Sequence, residues 1–90
     1  MNQVILNKKA KKQFKKLPIH VARKLLKWSE QVETFGIMII REISGYHDEP
    51  LHSNRKGQRS IRLSKAYRAF YIEHEDNIII EVIEVNKHDY

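Results

Sequence analysis

The chain has 90 residues, a formal net charge of +6 and 41% hydrophobic residues. This length allows one domain, residues 1–90, with a single modest core, so any active site lies on the surface or in a shallow groove. No apolar run approaches the roughly 20 residues of a membrane span, and the lack of cysteine excludes disulfides and thiolate metal sites. The N-terminal MNQVILNKKAKK has the wrong order and length for a signal peptide, so the simplest expectation is a cytoplasmic protein.

The positive charge is unevenly distributed along the chain. Residues 1–27 contain nine Lys or Arg and no acidic residue, whereas residues 73–90 contain six acidic residues and Lys87 as the one Lys or Arg. A basic half of this kind predicts a nucleic-acid ligand or an acidic protein partner. The alternative is a solvated helix face that only improves solubility.

The first third of the chain predicts a short strand and two helices. Gln3–Leu6 is β-branched and is followed by Asn7, a good N-cap. The next two segments have helical apolar spacing: Ala10, Phe14 and Leu17 in Lys8–Lys16, then Val21, Leu25, Trp28, Val32 and Phe35 after Pro18. Gly36 ends the second helix. We expect an antiparallel helical hairpin whose apolar stripes pack against another layer.

The remainder of the chain predicts a loop and three strands. Ile37–Ile40 is apolar, and Arg41–Leu51 is interpreted as a loop with Gly45 and Pro50 as breakers. The expected strands are Gln58–Leu63, Tyr67–Glu73 and Ile78–Val85, the last apolar enough for a central position covered on both faces. The order βααβββ predicts an α+β fold: an antiparallel sheet with the N-terminal helical hairpin on one face.

Two arginines on neighbouring strands are the main candidates for a functional site. Alternation places Gln58, Ser60 and Arg62 on one face of their strand and Arg59, Ile61 and Leu63 on the other. The apolar pair should face the core, so Arg62 faces outward, within cross-strand reach of Arg68. Like charges placed opposite each other destabilise a sheet unless an anion such as an RNA phosphate lies between them. The alternative is that each arginine pairs with a carboxylate such as Glu73 or Glu81.

The histidines do not indicate a metal site. His20, His47, His52 and His74 have no repeated ligand spacing, so we expect neither zinc nor another cofactor.

Several of these residues occur in an order that is similar to a known family. Glu49-Pro50-Leu51, then Gly57, then the strand arginine Arg62, then Arg68-x-x-Tyr71 and a final KHDY resemble the RelE/ParE superfamily of bacterial toxins, closest to its YoeB and HigB branches. The resemblance implies the same βααβββ fold. It also implies the toxin of a type II toxin-antitoxin pair: a metal-independent endoribonuclease that cleaves mRNA in the A site of the 70S ribosome and is inactive while its antitoxin is bound.

The resemblance also implies roles for individual residues. Glu49 resembles the general base, and Arg62 and Arg68 resemble the phosphate-binding and transition-state residues. His88 is the candidate general acid, because an unperturbed imidazole can donate a proton at cytoplasmic pH, and Tyr90 is the candidate for orienting the phosphate or stacking on a base. Asp89 separates His88 from Tyr90, so which of residues 87–90 faces the substrate stays open. RelE has lysines at the positions of Ser60 and Arg62, and in a RelE-like arrangement Glu49 is a solvated loop residue. Contacts to the RNA backbone are expected from Lys8, Lys9, Lys11, Lys12, Arg55, Lys56, Arg59, Lys65 and Lys87.

Two other functions fit the same sequence. A ParE-like protein would inhibit DNA gyrase without cleaving nucleic acid, although such proteins generally lack the acid and base that Glu49 and His88 provide. A non-catalytic RNA-binding module would use only the basic face.

Overall fold

The computed structural model describes residues 2–76 and 78–87. The helices are α1 (Lys8–Phe14), α2 (Ile19–Phe35) and α3 (Ile37–Ile40), and the strands are β1 (Gln3–Leu6), β2 (Glu49–Pro50), β3 (Arg59–Arg62), β4 (Tyr67–His74) and β5 (Ile79–Lys87). The strands form one sheet in the order β1-β5-β4-β3-β2. The predicted α+β class and the succession of strand, helical hairpin and three-stranded meander are confirmed.

The sheet differs from the prediction in strand direction and in strand number. β1 pairs parallel with β5, so the sheet is mixed rather than antiparallel throughout. Within the predicted loop, Glu49 and Pro50 form the edge strand β2 against β3. Proline has no N–H to donate and is tolerated only where one side of a strand is unpaired, which is why this segment lacks a strand signal. Ile37–Ile40, whose structure the sequence left open, is the short helix α3.

The core lies between the sheet and α2. Val21, Leu25, Trp28 and Val32 of the predicted stripe are buried, and the Trp28 ring packs against the Tyr71 ring of β4 with centroids 5.3 Å apart. Phe35, the last member of the stripe, is 58% exposed. The helix ends directly after it, where Gly36 adopts a φ of +89° that side-chain-bearing residues rarely adopt.

A bulge in β5 explains the near-continuous apolar sequence of this strand. The pairing of β4 with β5 shifts between Phe70 and Tyr71, which pair with Glu84 and Val82, so Ile83 is an extra residue. Val82 and Val85 therefore both reach the core although they are three positions apart. β5 is a central strand, as predicted, but its apolar side chains concentrate on the helix side and Glu84 faces the other side.

Side chains from α1 complete the sheet beyond the end of β1. Asn7 caps α1, since its Oδ1 accepts a 2.8 Å hydrogen bond from the Ala10 N–H. The Val85 N–H, which lies past the last β1 pairing at Val82, donates to Gln13 Oε1 over 2.6 Å. α1 thus substitutes for a missing strand at the edge of β5.

Asn7→Ala should lower the free energy of unfolding by about 1 kcal/mol, because the Ala10 N–H loses its cap. Urea denaturation measures the change. Asn54→Ala, an exposed position, is the matched control and should stay within about 0.5 kcal/mol of wild type. Equal stability of the two variants would contradict a capping role for Asn7.

Candidate functional site

The sheet face opposite the helices, called the open face below, contains most of the predicted site. Two cross-strand rows define it: Glu49, Ser60, Phe70 and Glu84 in one, and Arg62, Arg68 and Asn86 in the other. The same alternation sends Ile61, Ala69 and Tyr71 into the core. The open face therefore exists because the opposite face is apolar.

Arg62 and Arg68 are direct cross-strand partners. The turn between them fixes this register, because Ser64 Oγ accepts hydrogen bonds of 3.2 Å from the N–H groups of Ala66 and Tyr67. The pairing expected from the sequence is therefore present. Of the carboxylates considered as alternative partners, Glu73 forms an ion pair with Arg41, and Glu81 lies within hydrogen-bond distance of His74.

Arg68 is held in place, and Glu49 stands beside it. Arg68 Nη1 donates to Ser60 Oγ over 3.4 Å and lies 3.8 Å from Glu49 Oε1. The Arg68 side chain is 16% exposed, whereas that of Glu49 is 60% exposed. Among the described residues Arg62 has no carboxylate partner. The open face thus presents a guanidinium pair with a solvent-accessible carboxylate at its edge.

A second network on the open face centres on Glu84 of β5. Glu84 Oε1 accepts hydrogen bonds from Arg55 Nη2 at 2.9 Å and from Lys9 Nζ at 3.1 Å, and Asn86 Nδ2 donates to the other oxygen. Burial alone would raise the pKa of the Glu84 carboxyl, but the hydrogen bonds from Arg55 and Lys9 outweigh this effect and lower the pKa below its usual value. Arg55 also lies over the Phe70 ring, 4.5 Å from its centroid.

Arg59 does not belong to the open face. Its Nε donates to Asp48 Oδ1 over 2.7 Å, and Tyr71 OH donates to Asp48 Oδ2 over 2.5 Å on the core side of the sheet. Burial and the bond to Asp48 raise the pKa of Tyr71 well above its usual value. The expectation that Arg59 contacts RNA backbone therefore conflicts with its position, since a fully buried carboxylate already holds its guanidinium.

The remaining predicted residues occupy three places. Lys8, Lys11 and Lys12 are exposed on α1, Lys56 and Lys65 are exposed near the two ends of β3, and Lys87 is exposed at the end of β5. Lys9 joins α1 to the open face through Glu84. His88 and Tyr90 lie outside the described residues.

Asp48, Phe70 and Glu84 were not among the predicted site residues. The sequence did contain an indication that Glu84 has a cationic partner, because a carboxylate inside an apolar central strand is rarely buried without one. No local pattern identifies that partner, since Lys9 and Arg55 come from distant segments. Asp48 and Phe70 had no comparable signal.

Neither a metal site nor a membrane span is found in the part of the chain that the structure describes. Across residues 2–76 and 78–87, no three His, Asp or Glu side chains are grouped so that they could hold a metal ion. The helices within the same ranges are too short or too polar to cross a bilayer.

Comparison with known proteins identifies the fold. No protein-family model and no curated protein matches the sequence. Among solved structures, the YoeB/ParE toxin from Agrobacterium tumefaciens superposes with a TM-score of 0.75 at 14% identity, covering 97% of this chain and 99% of that one. The archaeal RelE of a RelE-RelB complex from Pyrococcus horikoshii gives 0.73 at 19% identity, with 96% and 93% covered. The YoeB-YefM complex from Staphylococcus aureus gives 0.71 at 19% identity, with 100% and 99% covered.

These similarities show the fold class: it is the α+β fold of solved structures that are named as toxins of toxin-antitoxin systems. More narrowly, the chain has the RelE-like fold shared by RelE, YoeB and YafQ, as the resemblance of its motifs implied.

Asp48→Asn should lower the free energy of unfolding by about 2–3 kcal/mol, because it leaves the Arg59 guanidinium without its counter-charge in a largely buried place. Chemical denaturation measures the loss. Asp76→Asn, an exposed turn position with a φ of +55° that asparagine tolerates, is the control. Similar stability of both variants would show that the ion pair contributes nothing.

Glu84→Gln should destabilise the protein by about 1–2 kcal/mol at pH 7, and the difference should vanish in acid. The pKa of Glu84 is lower in the folded than in the unfolded protein. Its ionic contribution is therefore present above the unfolded-state pKa and is lost as pH falls through the folded-state pKa. Denaturation of both proteins between pH 7 and about pH 3 measures this, with the exposed Glu30→Gln as control. A difference that does not change with pH would contradict the ionic role.

Proposed function

We propose that this protein is the toxin of a type II toxin-antitoxin pair and that it is a ribosome-dependent endoribonuclease that cleaves mRNA. The observation that carries the proposal is the placement of Arg62 directly opposite Arg68 on the open face, with Glu49 Oε1 3.8 Å from Arg68. The RelE-like fold supports it.

The guanidinium pair favours a bound phosphate. Directly opposite residues in an antiparallel pair have their Cα atoms about 5 Å apart, so the two guanidinium groups share one small area of the open face, where like charges repel. A phosphodiester between Arg62 and Arg68 would replace this repulsion with attraction, because its negative charge interacts favourably with both guanidinium groups. It would also accept hydrogen bonds from both. Arg68 is already oriented by Ser60, so little side-chain freedom is lost on binding.

The proposed reaction is attack of a ribose 2′-hydroxyl on the adjacent phosphorus. Glu49 accepts the proton of the 2′-hydroxyl, the bond from O2′ to phosphorus forms, and the bond from phosphorus to O5′ breaks. Arg62 and Arg68 stabilise the negative charge that develops on the phosphoryl oxygens. The leaving O5′ takes a proton from an acid, for which His88 is the candidate, with Tyr90 orienting the phosphate. The products are a 2′,3′-cyclic phosphate and a 5′-hydroxyl.

The proposed partners are the ribosome and an antitoxin. The exposed lysines of α1 and the net charge of +6 suit ribosomal RNA, whose backbone is read through charge rather than sequence. The RelE and YoeB neighbours were solved as RelE-RelB and YoeB-YefM complexes. By analogy, this chain has a cognate antitoxin, and an acidic one is expected from charge complementarity. Action on the ribosome would place the activity in the cytoplasm.

Arg68→Ala should lower the rate of mRNA cleavage by roughly 100- to 1,000-fold, because it removes a donor to the developing phosphoryl charge. Glu49→Gln should lower it by about 100-fold or more if Glu49 is the base. The rates are measured on a defined message in a purified translation reaction by mapping the new 5′ ends.

The matched control is Arg23→Ala, which removes an exposed arginine of α2 on the other side of the molecule and should leave the rate unchanged. Full activity of Arg68→Ala would refute the proposal that Arg62 and Arg68 bind the scissile phosphate. Intact messages with altered DNA supercoiling after wild-type expression would instead indicate a ParE-like gyrase inhibitor. Salt-sensitive RNA binding without cleavage would indicate a non-catalytic module.

A further inference from the structure

The Arg55 guanidinium is held on the open face by three contacts. The Phe70 ring supports one of its faces, with 4.5 Å between Cζ and the ring centroid. At its edges, Nη1 donates to Gln58 Oε1 over 2.8 Å and Nη2 donates to Glu84 Oε1 over 2.9 Å. The ring contact and an acceptor at each terminal nitrogen together restrict the position of the group.

This arrangement leaves Arg55 with fewer donors for a phosphate than a free arginine has. An arginine binds a phosphate through its fork of N–H donors, and one N–H on each terminal nitrogen of Arg55 is already engaged by Gln58 or Glu84. Glu84 is itself held by Lys9 and Asn86 and has a side chain only 12% exposed, so it is not free to release Arg55. The Arg55 side chain is 37% exposed, and since the Phe70 ring lies against one side of its guanidinium, a ligand would approach from the other side.

The side of the Arg55 guanidinium that faces away from Phe70 lies one nucleotide away from the arginine pair. Phe70 follows Arg68 by two residues on the same strand and the same face, so the two rows of the open face are about 7 Å apart. One nucleotide of single-stranded RNA spans a distance of this size. A base next to a phosphate held by Arg62 and Arg68 therefore comes within reach of Arg55.

We propose that the outer plane of Arg55 stacks on the nucleobase that flanks the phosphate held by Arg62 and Arg68, with Phe70 and Glu84 as positioning residues beneath and beside it. This inference rests on the proposed function and adds a base-binding surface to it. Because every nucleobase has a π-face, the contact recognises a base without specifying its sequence.

The test uses the intact protein and two short RNA oligonucleotides with a 2′-deoxy group at the scissile position, so that neither is cleaved. One oligonucleotide has the fluorescent base 2-aminopurine next to that position, and the other has an abasic site there. Wild type should quench the 2-aminopurine and bind the base-containing RNA roughly 5- to 100-fold more tightly than the abasic one.

Arg55→Lys keeps the charge but removes the plane, so it should lose the quenching and the preference for a base while its affinity for the abasic RNA stays within about threefold. Phe70→Leu should weaken the same preference through loss of the support under Arg55. Arg23→Lys on α2 is the matched control and should resemble wild type. Circular dichroism of each variant establishes that it is folded.

The outcomes separate this inference from the proposed function. Equal binding of both oligonucleotides by wild type, or quenching and preference retained in Arg55→Lys, would overturn the stacking role while the arginine pair stands. Arg68→Ala should weaken binding of both oligonucleotides alike. If Arg68→Ala leaves both affinities unchanged, Arg68 does not bind the phosphate, and the proposed function is refuted as well.

Discussion

The register of the β3–β4 hairpin is the constraint on which the open face depends. Side chains alternate strictly along a strand, so a slip of one residue would move Arg62 into the core and Ile61 into solvent. Two devices oppose such a slip: the Ser64 hydroxyl, which binds two N–H groups of the turn, and the burial of Ile61 against the helices. The same apolar residues that stabilise the fold therefore hold two like charges opposite each other. The repulsion is tolerated because the hydrophobic face outweighs it.

Glu84 connects the sheet to the parts of the chain that surround it. One carboxylate binds Lys9 from α1 and Arg55 from the turn before β3, two segments far apart in the sequence. Because Glu84 pairs with two cations, their attraction offsets the desolvation cost of burying part of its charge. The position of the basic helix and the orientation of Arg55 are consequently coupled through a single side chain. The RNA-facing groups proposed here form one connected structure rather than separate surface charges.

The sequence predicted the local features well and the long-range ones poorly. Alternation around Ile61 was sufficient to place Arg62 on the outward face, and the short connection between the two strands was sufficient to bring Arg68 within cross-strand reach. The partner of Arg59 could not be predicted, because the path that brings Asp48 to it depends on the two-residue strand β2. The bulge at Ile83 could not be predicted either, since a continuous apolar sequence does not show whether the apolar side chains of a strand lie on both faces of the sheet or mainly on one. Motif resemblance supplied the candidate roles, which alternation and charge alone do not assign.

The parallel pairing of Gln3–Leu6 with Ile79–Val82 has a consequence for how the chain folds during its synthesis. This seam joins the two most widely separated strands of the sheet, and contacts of such long range form late and slowly. In a nascent chain that leaves the ribosome, β1 has no strand to pair with until β5 has been synthesised. Helical segments and the central hairpin are free to assemble earlier, but closure of the sheet has to await synthesis of β5. These parts of the molecule can therefore form before the seam that joins β1 to the rest of the sheet.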